Sequence, residues 1–149
     1  MTTEPLATVP PFLLGPAQLG APKVTRDDAA IGSPVVVIQP TYSRRVPVAP
    51  VQGVIISAAR VWGEIECTFP SGIKRTFRLR LDDQTDGTNS YYAVRWRTPA
   101  QHEWHEALRS ADAFLSDQGI HLGLGSRWND PADRIELARL VWPHRRVTA

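Results

Sequence analysis

Apolar and polar residues alternate with a period of two through the middle of the chain. Residues 64–69 and residues 74–81 alternate strictly on either side of a short Pro-Ser-Gly turn. Such alternation is typical of β-strands that bury one face. The β-branched run 35–38, the apolar run 51–61 and the alternating residues 92–96 predict further strands. This part of the chain therefore predicts an antiparallel β-sheet of about four to five strands.

Residues 74–81 and 92–96 lie on either side of a nine-residue polar loop, residues 82–90, and are expected to pair with each other. Cross-strand partners share a face of the sheet, so we expect Phe77 to lie opposite Trp96 on the core side. The charged residues between the apolar ones then point outward, where Glu64 and Glu66 offset part of their charge. This predicted outward basic face is a candidate site for nucleic acid or an acidic partner, and a charge-compensated solvated face is the other interpretation. Its members are Lys74, Arg78, Arg80, Arg95 and Arg97.

Residues 98–142 change to helical spacing. Thr98 and Gln101 fit the two polar positions of a capping box, with proline at the first helical position between them. Apolar residues then recur at intervals of three and four as far as Gly119, and a second, shorter helix is predicted after Asp130. Because strands precede helices, the sequence predicts an α+β fold. We expect the sheet to be covered on one face by the C-terminal helix and the short second helix.

Residues 1–33 form a separate compositional unit, and residues 34–149 are expected to form a single α+β domain. The first unit has five prolines and three glycines and shows no period, so it is predicted to be an extended arm. A disordered terminus is one interpretation. Its apolar content favours another, in which the arm docks on a neighbouring subunit, on a different partner or on the protein's own sheet edge. The candidate partner-binding residues are Leu6, Val9, Phe12, Leu13, Leu14 and Leu19.

Three short motifs are similar to known sites, but each lacks residues that the chemistry requires. Residues 102–106 hold two histidines three apart, whereas a zincin helix places them four apart and adds a third ligand. Residues 82–89 lack two ligand positions of a calcium loop, and residues 123–128 lack the third glycine of a phosphate-binding loop. Cys67 alternates with core residues and is expected to be an inert, buried thiol. We therefore predict no catalytic residue, no metal site and no cofactor, and we expect that the protein is not an enzyme.

Composition and charge narrow the class of protein further. The 149 residues are 42% hydrophobic, which is too apolar for a wholly disordered chain and sufficient for a core. No stretch approaches about 20 consecutive apolar residues, so we expect no membrane partner. The first basic residue is Lys23, and no secretory signal is predicted. The expected location is the cytoplasm, or the virion if the protein is encoded by a phage.

These observations favour a non-catalytic structural or adaptor subunit of a larger protein assembly, with the arm docking on a neighbour. Its partners would be other protein subunits, of the same or a different chain, and it would be an oligomer or a component of a complex. A bacteriophage virion or connector component is the more specific form of this hypothesis, and it depends on analogy of general plan alone. The alternative is a nucleic-acid-binding protein that uses the outward basic face to bind phosphates.

Overall fold

The computed structural model describes residues 9–14, 22–40, 49–88, 93–123, 125–126, 128 and 130–146. Within these residues the protein has a five-stranded antiparallel sheet and two α-helices, which confirms the predicted α+β class. The strands are β1 (Pro34–Ile38), β2 (Val51–Ala58), β3 (Trp62–Thr68), β4 (Lys74–Arg80) and β5 (Arg95–Arg97). The helices are α1 (Pro99–Asp117) and α2 (Pro131–Val141).

The chain forms two compact units. Lys23–His102 contain the sheet and are called the sheet unit, whereas Met1–Pro22 and Glu103–Ala149 form the helical unit. Each unit has its own hydrophobic cluster. The predicted division into an arm of residues 1–33 and a domain of residues 34–149 stays a prediction, because much of the arm lies outside the described residues.

Alternate residues of the strands supply the core of the sheet unit, as the period of two predicts. Ile65 and Cys67 of β3, Phe77 and Leu79 of β4 and Trp96 of β5 are all buried. The other buried members of this cluster are Val35, Val37, Val51 and Ile55. Because successive side chains of a strand point to opposite faces, the charged residues between these positions face away from the core.

Gly53 allows β2 to approach β3 closely. A Cβ atom at this position would lie 2.8 Å from Cγ2 of Ile65 and 2.9 Å from Sγ of Cys67, both of which belong to the core. Any larger residue would therefore push the two strands apart. The register between these strands shifts further along, between Ile55 and Ser57.

The pairing predicted between β4 and β5 is wrong. β5 pairs with β1, with Trp96 opposite Val37, and the strand order is β4-β3-β2-β1-β5. A nine-residue loop is longer than the two to five residues that join most hairpins. The consecutive valines at 35–37 are all buried, so side chains on both faces of β1 are covered. Phe77 lies opposite Ile65 instead, but both Phe77 and Trp96 still face the core.

The loop after β4 links the two edge strands of the sheet. The indole N–H of Trp96 donates a hydrogen bond of 2.7 Å to the carbonyl oxygen of Arg80. Thr85 bridges the same strands, because its carbonyl oxygen accepts from the N–H of Arg80 while it pairs with Arg95 in an antiparallel bridge. Strands at opposite ends of the order can meet in this way only if the sheet curls.

Gln84 fastens this loop to the start of α1. Its backbone has a φ of 61°, which is unusual for a residue other than glycine. Its side chain exchanges two hydrogen bonds with the amide of Gln101, at 2.6 and 3.0 Å. Gln101 also accepts from the N–H of Thr98 at 3.0 Å, and the hydroxyl of Thr98 accepts from the N–H of Gln101 at 3.1 Å. The predicted capping box is therefore confirmed, and it shares its glutamine with the loop.

The core of the helical unit contains the predicted apolar stripe of α1. Ala111 and Leu115 of α1 are buried against Ile135 and Ala138 of α2. The fifth buried member is Phe12, from the predicted arm. This cluster therefore brings together residues from the two ends of the sequence.

The ends of both helices have the caps that the sequence predicts. Gly119 has a φ of 73°, its N–H donates to the carbonyl oxygen of Ser116, and the next N–H donates to that of Leu115. This pair of bonds is a Schellman motif, which requires a left-handed residue at the position of the glycine. At the start of α2, the side chain of Asp130 accepts from the N–H of Ala132 at 3.1 Å.

Candidate functional site

Phe12 anchors the N-terminal segment in the helical unit. Pro11–Leu13 form a single 3-10 turn, which fixes the direction of the Phe12 side chain. The side chain is fully buried, and its ring centroid lies 5.2 Å from that of Phe114 and 5.7 Å from that of Trp142. An aromatic ring buried between two others contributes both transfer free energy and ring–ring contacts. We call the surface that holds Phe12 the arm groove. It is formed by α1, α2 and the 3-10 turn Trp142–His144 that follows α2.

Side chains of both helices bind the backbone around Phe12. The N–H of Phe12 donates to Oγ of Ser110 at 3.1 Å, and this hydroxyl donates to the carbonyl oxygen of Ala107 at 2.9 Å. Nε of Arg139 donates to the carbonyl oxygen of Phe12 at 2.6 Å, and Nη2 donates to that of Leu14 at 3.3 Å. Hydrogen bonds from a charged donor are stronger than neutral ones. The helices thus satisfy backbone groups that a proline-rich segment does not pair by itself.

The six predicted arm residues have different positions. Phe12 is buried in the arm groove, and Leu13 is partly buried in the same cluster. Val9 and Leu14 are 36% and 61% exposed. Leu6 and Leu19 lie outside the described residues. The surface on which Phe12 docks belongs to its own chain, but it was not among the predicted surfaces, because helices form it and not the sheet edge.

The five predicted basic residues lie on two different edge strands. Lys74, Arg78 and Arg80 belong to β4, whereas Arg95 and Arg97 belong to β5. They face outward, as predicted, because they lie on the opposite side of β4 and β5 from the buried Phe77, Leu79 and Trp96. They do not form one continuous ladder, since the two strands are not paired. β5 pairs with β1 instead, and the loop residue Thr85 lies between Arg80 and Arg95.

Carboxylates already neutralise much of the β4 group. Nη2 of Arg80 lies 2.7 Å from a carboxylate oxygen of Asp82, and Nε lies 3.4 Å from one of Asp83. The hydrogen bond from Arg80 is the main reason that the pKa of Asp82 falls from its ordinary value of 3.8 to about 2. Nζ of Lys74 lies 3.8 Å from Glu66, as the sequence predicts. Because Lys74 is largely exposed and Glu66 is partly exposed, this pair contributes little to stability.

Trp62 is a member of the outward face that the sequence prediction omitted. The guanidinium carbon of Arg78 lies 4.4 Å from the centroid of its ring, and that of Arg80 lies 5.7 Å from it. The indole is partly exposed. A signal for it was present, because Trp62 shares the period of two with Glu64 and Glu66 and should therefore face outward with them.

The loop that is similar to a calcium site uses its carboxylates for turn geometry. Oδ1 of Asp83 accepts from the N–H and hydroxyl of Thr85, and Oδ1 of Asp86 accepts from those of Thr88. Burial alone would raise the pKa of Asp86, but the hydrogen bonds from Thr88 and Val94 outweigh this effect and lower it. In the part of the chain that the structure describes, no group of three or more His, Cys, Asp or Glu side chains is arranged to hold a metal ion.

Cys67 lies in the core of the sheet unit, as predicted. It is fully buried, and burial raises the pKa of its thiol. A raised pKa keeps the thiol protonated at neutral pH, which disfavours nucleophilic chemistry.

Two other concave surfaces are formed by described residues. A cavity of about 290 Å³ at the end of α1 contains the ion pair of Asp112 and Arg134, whose Oδ1 and Nε lie 3.0 Å apart. A second cavity, of about 460 Å³, lies beside the ends of β2 and β3 and is lined largely by apolar residues such as Val51 and Phe69. The described lining of the second cavity has no charged side chain, so it suits an apolar group rather than acid–base chemistry.

No helix in the described part of the chain is long and apolar enough to span a membrane. Comparison with protein-family models, with curated proteins and with solved structures found no match.

Proposed function

We propose that this protein is a non-catalytic structural or adaptor subunit of a larger protein assembly. The observation that carries the proposal is the way in which the arm groove holds Phe12 and its neighbours. A buried aromatic anchor, together with side chains that bind the flanking backbone, is how protein surfaces recognise short extended segments. A component of a bacteriophage virion or connector is the finer form of the proposal.

The outward face around Trp62 supports the same proposal. Tryptophan and arginine are the residue types most enriched among the energetically dominant residues of protein interfaces. Here Trp62 is partly exposed beside Arg78, and carboxylates nearby balance the charge. A surface of mixed charge with an aromatic centre suits a protein partner better than a uniformly charged polymer.

Nucleic-acid binding is the second candidate, and one observation favours it. Arg78 and Arg95 are exposed, and neither forms an ion pair with a carboxylate among the described residues. Two such side chains on different strands could contact two phosphates. The pairing of Lys74 and Arg80 with carboxylates weakens this candidate, because those cations would have to give up their partners first.

Light scattering and nucleic-acid titration on the full chain separate the two candidates. The assembly proposal predicts a mass that rises with protein concentration above the 16.5 kDa of one chain. The second candidate predicts binding of labelled DNA or RNA that weakens steeply with salt and is lost in the Arg78→Glu, Arg95→Glu variant. Arg109→Glu is the matched control, because Arg109 is exposed on α1 and is paired with Glu106. A chain that stays monomeric and binds nucleic acid through Arg78 and Arg95 would contradict the assembly proposal.

A further inference from the structure

We infer that the arm groove also accepts residues 9–14 of a second copy of this chain, so that neighbouring subunits exchange arms. The inference rests on the proposed function, since it names the partner that the helical unit would bind in an assembly. It differs from that proposal in specifying both the groove and its occupant.

The contacts of the docked segment do not depend on which copy supplies it. On the segment, they involve the ring of Phe12, its N–H and carbonyl groups and the carbonyl group of Leu14. On the groove, they involve Ser110, Arg139 and the aromatic rings. Arg139 and Phe12 are 127 residues apart in sequence, so no short stretch of chain forces them together. The same hydrogen bonds and ring contacts would form with an arm from another copy.

The described residues on either side of the anchor are accessible to solvent. Phe12 is fully buried, whereas Val9 is 36% exposed and Leu14 is 61% exposed. Val9 and Leu14 thus lie at the surface of the helical unit and not in its core. This arrangement lets a segment enter from a neighbouring molecule without passing through the core.

Reciprocal exchange keeps every groove filled. In a pair of copies that trade arms, each Phe12 is buried and each Arg139 keeps its carbonyl partners, so the contact energy is unchanged to a first approximation. The net cost of exchange is then the loss of translational and rotational freedom when two copies associate. A high local concentration of copies offsets that loss, and an assembly provides it. We therefore expect exchange to increase with concentration and to be favoured within an assembly.

A pair of complementary variants tests the inference. Phe12→Asp removes the anchor and leaves the groove intact. Ser110→Ala with Arg139→Glu weakens the groove and leaves the anchor intact, because it removes the two side chains that bind the backbone of the arm. Arg109→Glu is the control for the charge reversal on an exposed helix position. Deletion of residues 1–14 supplies a second anchor-free chain if the charged substitution prevents folding, and circular dichroism establishes that each variant is folded.

Native mass spectrometry then measures the species in an equimolar mixture of the two variants. We expect the heterodimer to exceed either homodimer by about tenfold, which corresponds to a preference of about 1.4 kcal/mol. The excess should vanish when the groove variant also carries Phe12→Asp. It should also be absent when the Arg109→Glu chain is mixed with Phe12→Asp in place of the groove variant. Folded variants that give no heterodimer excess would overturn the inference. If the wild-type chain still assembles in light scattering, that result would leave the proposed function standing.

Discussion

Replacing Phe12 with alanine tests whether the N-terminal segment belongs to the core of the helical unit. The side chain is fully buried between Phe114 and Trp142. Loss of a buried phenylalanine removes its transfer free energy and leaves a cavity, which costs about 3–5 kcal/mol in well-packed sites. The loss cannot exceed the free energy with which the segment docks on the helices, because beyond that point the segment detaches and the rest of the fold persists. We therefore expect the free energy of unfolding to fall, by at most about 3–5 kcal/mol.

Urea denaturation followed by circular dichroism measures the effect. With an m-value of about 2 kcal/mol/M, a loss of 3 kcal/mol would lower the midpoint by about 1.5 M. Leu14→Ala is the matched control, because Leu14 is 61% exposed and its substitution should change stability by less than about 0.5 kcal/mol. Equal midpoints for Phe12→Ala, Leu14→Ala and the wild type would show that the segment contributes nothing to the helical unit, and the argument from burial would be refuted.

Three further predictions concern the sheet unit and the start of α1. Thr98→Ala removes the capping hydroxyl that accepts from Gln101, and we expect a loss of about 1 kcal/mol in denaturant unfolding, whereas Thr98→Ser should retain most of the stability. Gln84→Ala removes the two hydrogen bonds between its side chain and that of Gln101, so we expect the free energy of unfolding to fall by about 1–3 kcal/mol. Alanine at this position keeps the positive φ, so no relief of backbone strain offsets the loss. An unchanged denaturation midpoint would show that the amide pair is dispensable. The pKa of Asp82 is lowered in the folded state to about 2, so its pairing with Arg80 stabilises the fold fully above about pH 4 and loses this effect as the pH falls toward 2. Asp82→Asn should therefore be less stable than the wild type at neutral pH, and thermal unfolding should show the difference closing over that acid range, whereas a difference independent of pH would contradict the assignment.

Local rules predicted the elements well because those elements depend on neighbouring residues in the sequence. The capping box at Thr98 and the Schellman motif at Gly119 each involve residues within one or two turns of each other. The alternation in β3 and β4 likewise predicted which side chains face the core. These features need no knowledge of how distant parts of the chain meet.

Pairing between distant segments was not predictable in the same way. The alternation of β5 shows which of its residues face the core, but it contains no information about which strand lies beside it. The predicted hairpin was therefore wrong while the orientation of Trp96 was right. The surface on which Phe12 docks was not predictable for the same reason, because its partners Ser110 and Arg139 are 98 and 127 residues away in sequence.

Arginine has a structural use in this chain that changes the meaning of its basic composition. Of the 17 basic residues, 15 are arginine. Arg139 binds two backbone carbonyl groups at once, Arg80 contacts two carboxylates, and Arg78 lies against the ring of Trp62. Each of these contacts uses the planar, multiply donating guanidinium, which lysine does not have. Because Arg139 and Arg80 already have partners within the chain, an excess of arginine is weak support for a phosphate-binding surface. The same side chains are suited to joining protein segments, as Arg139 does in the arm groove.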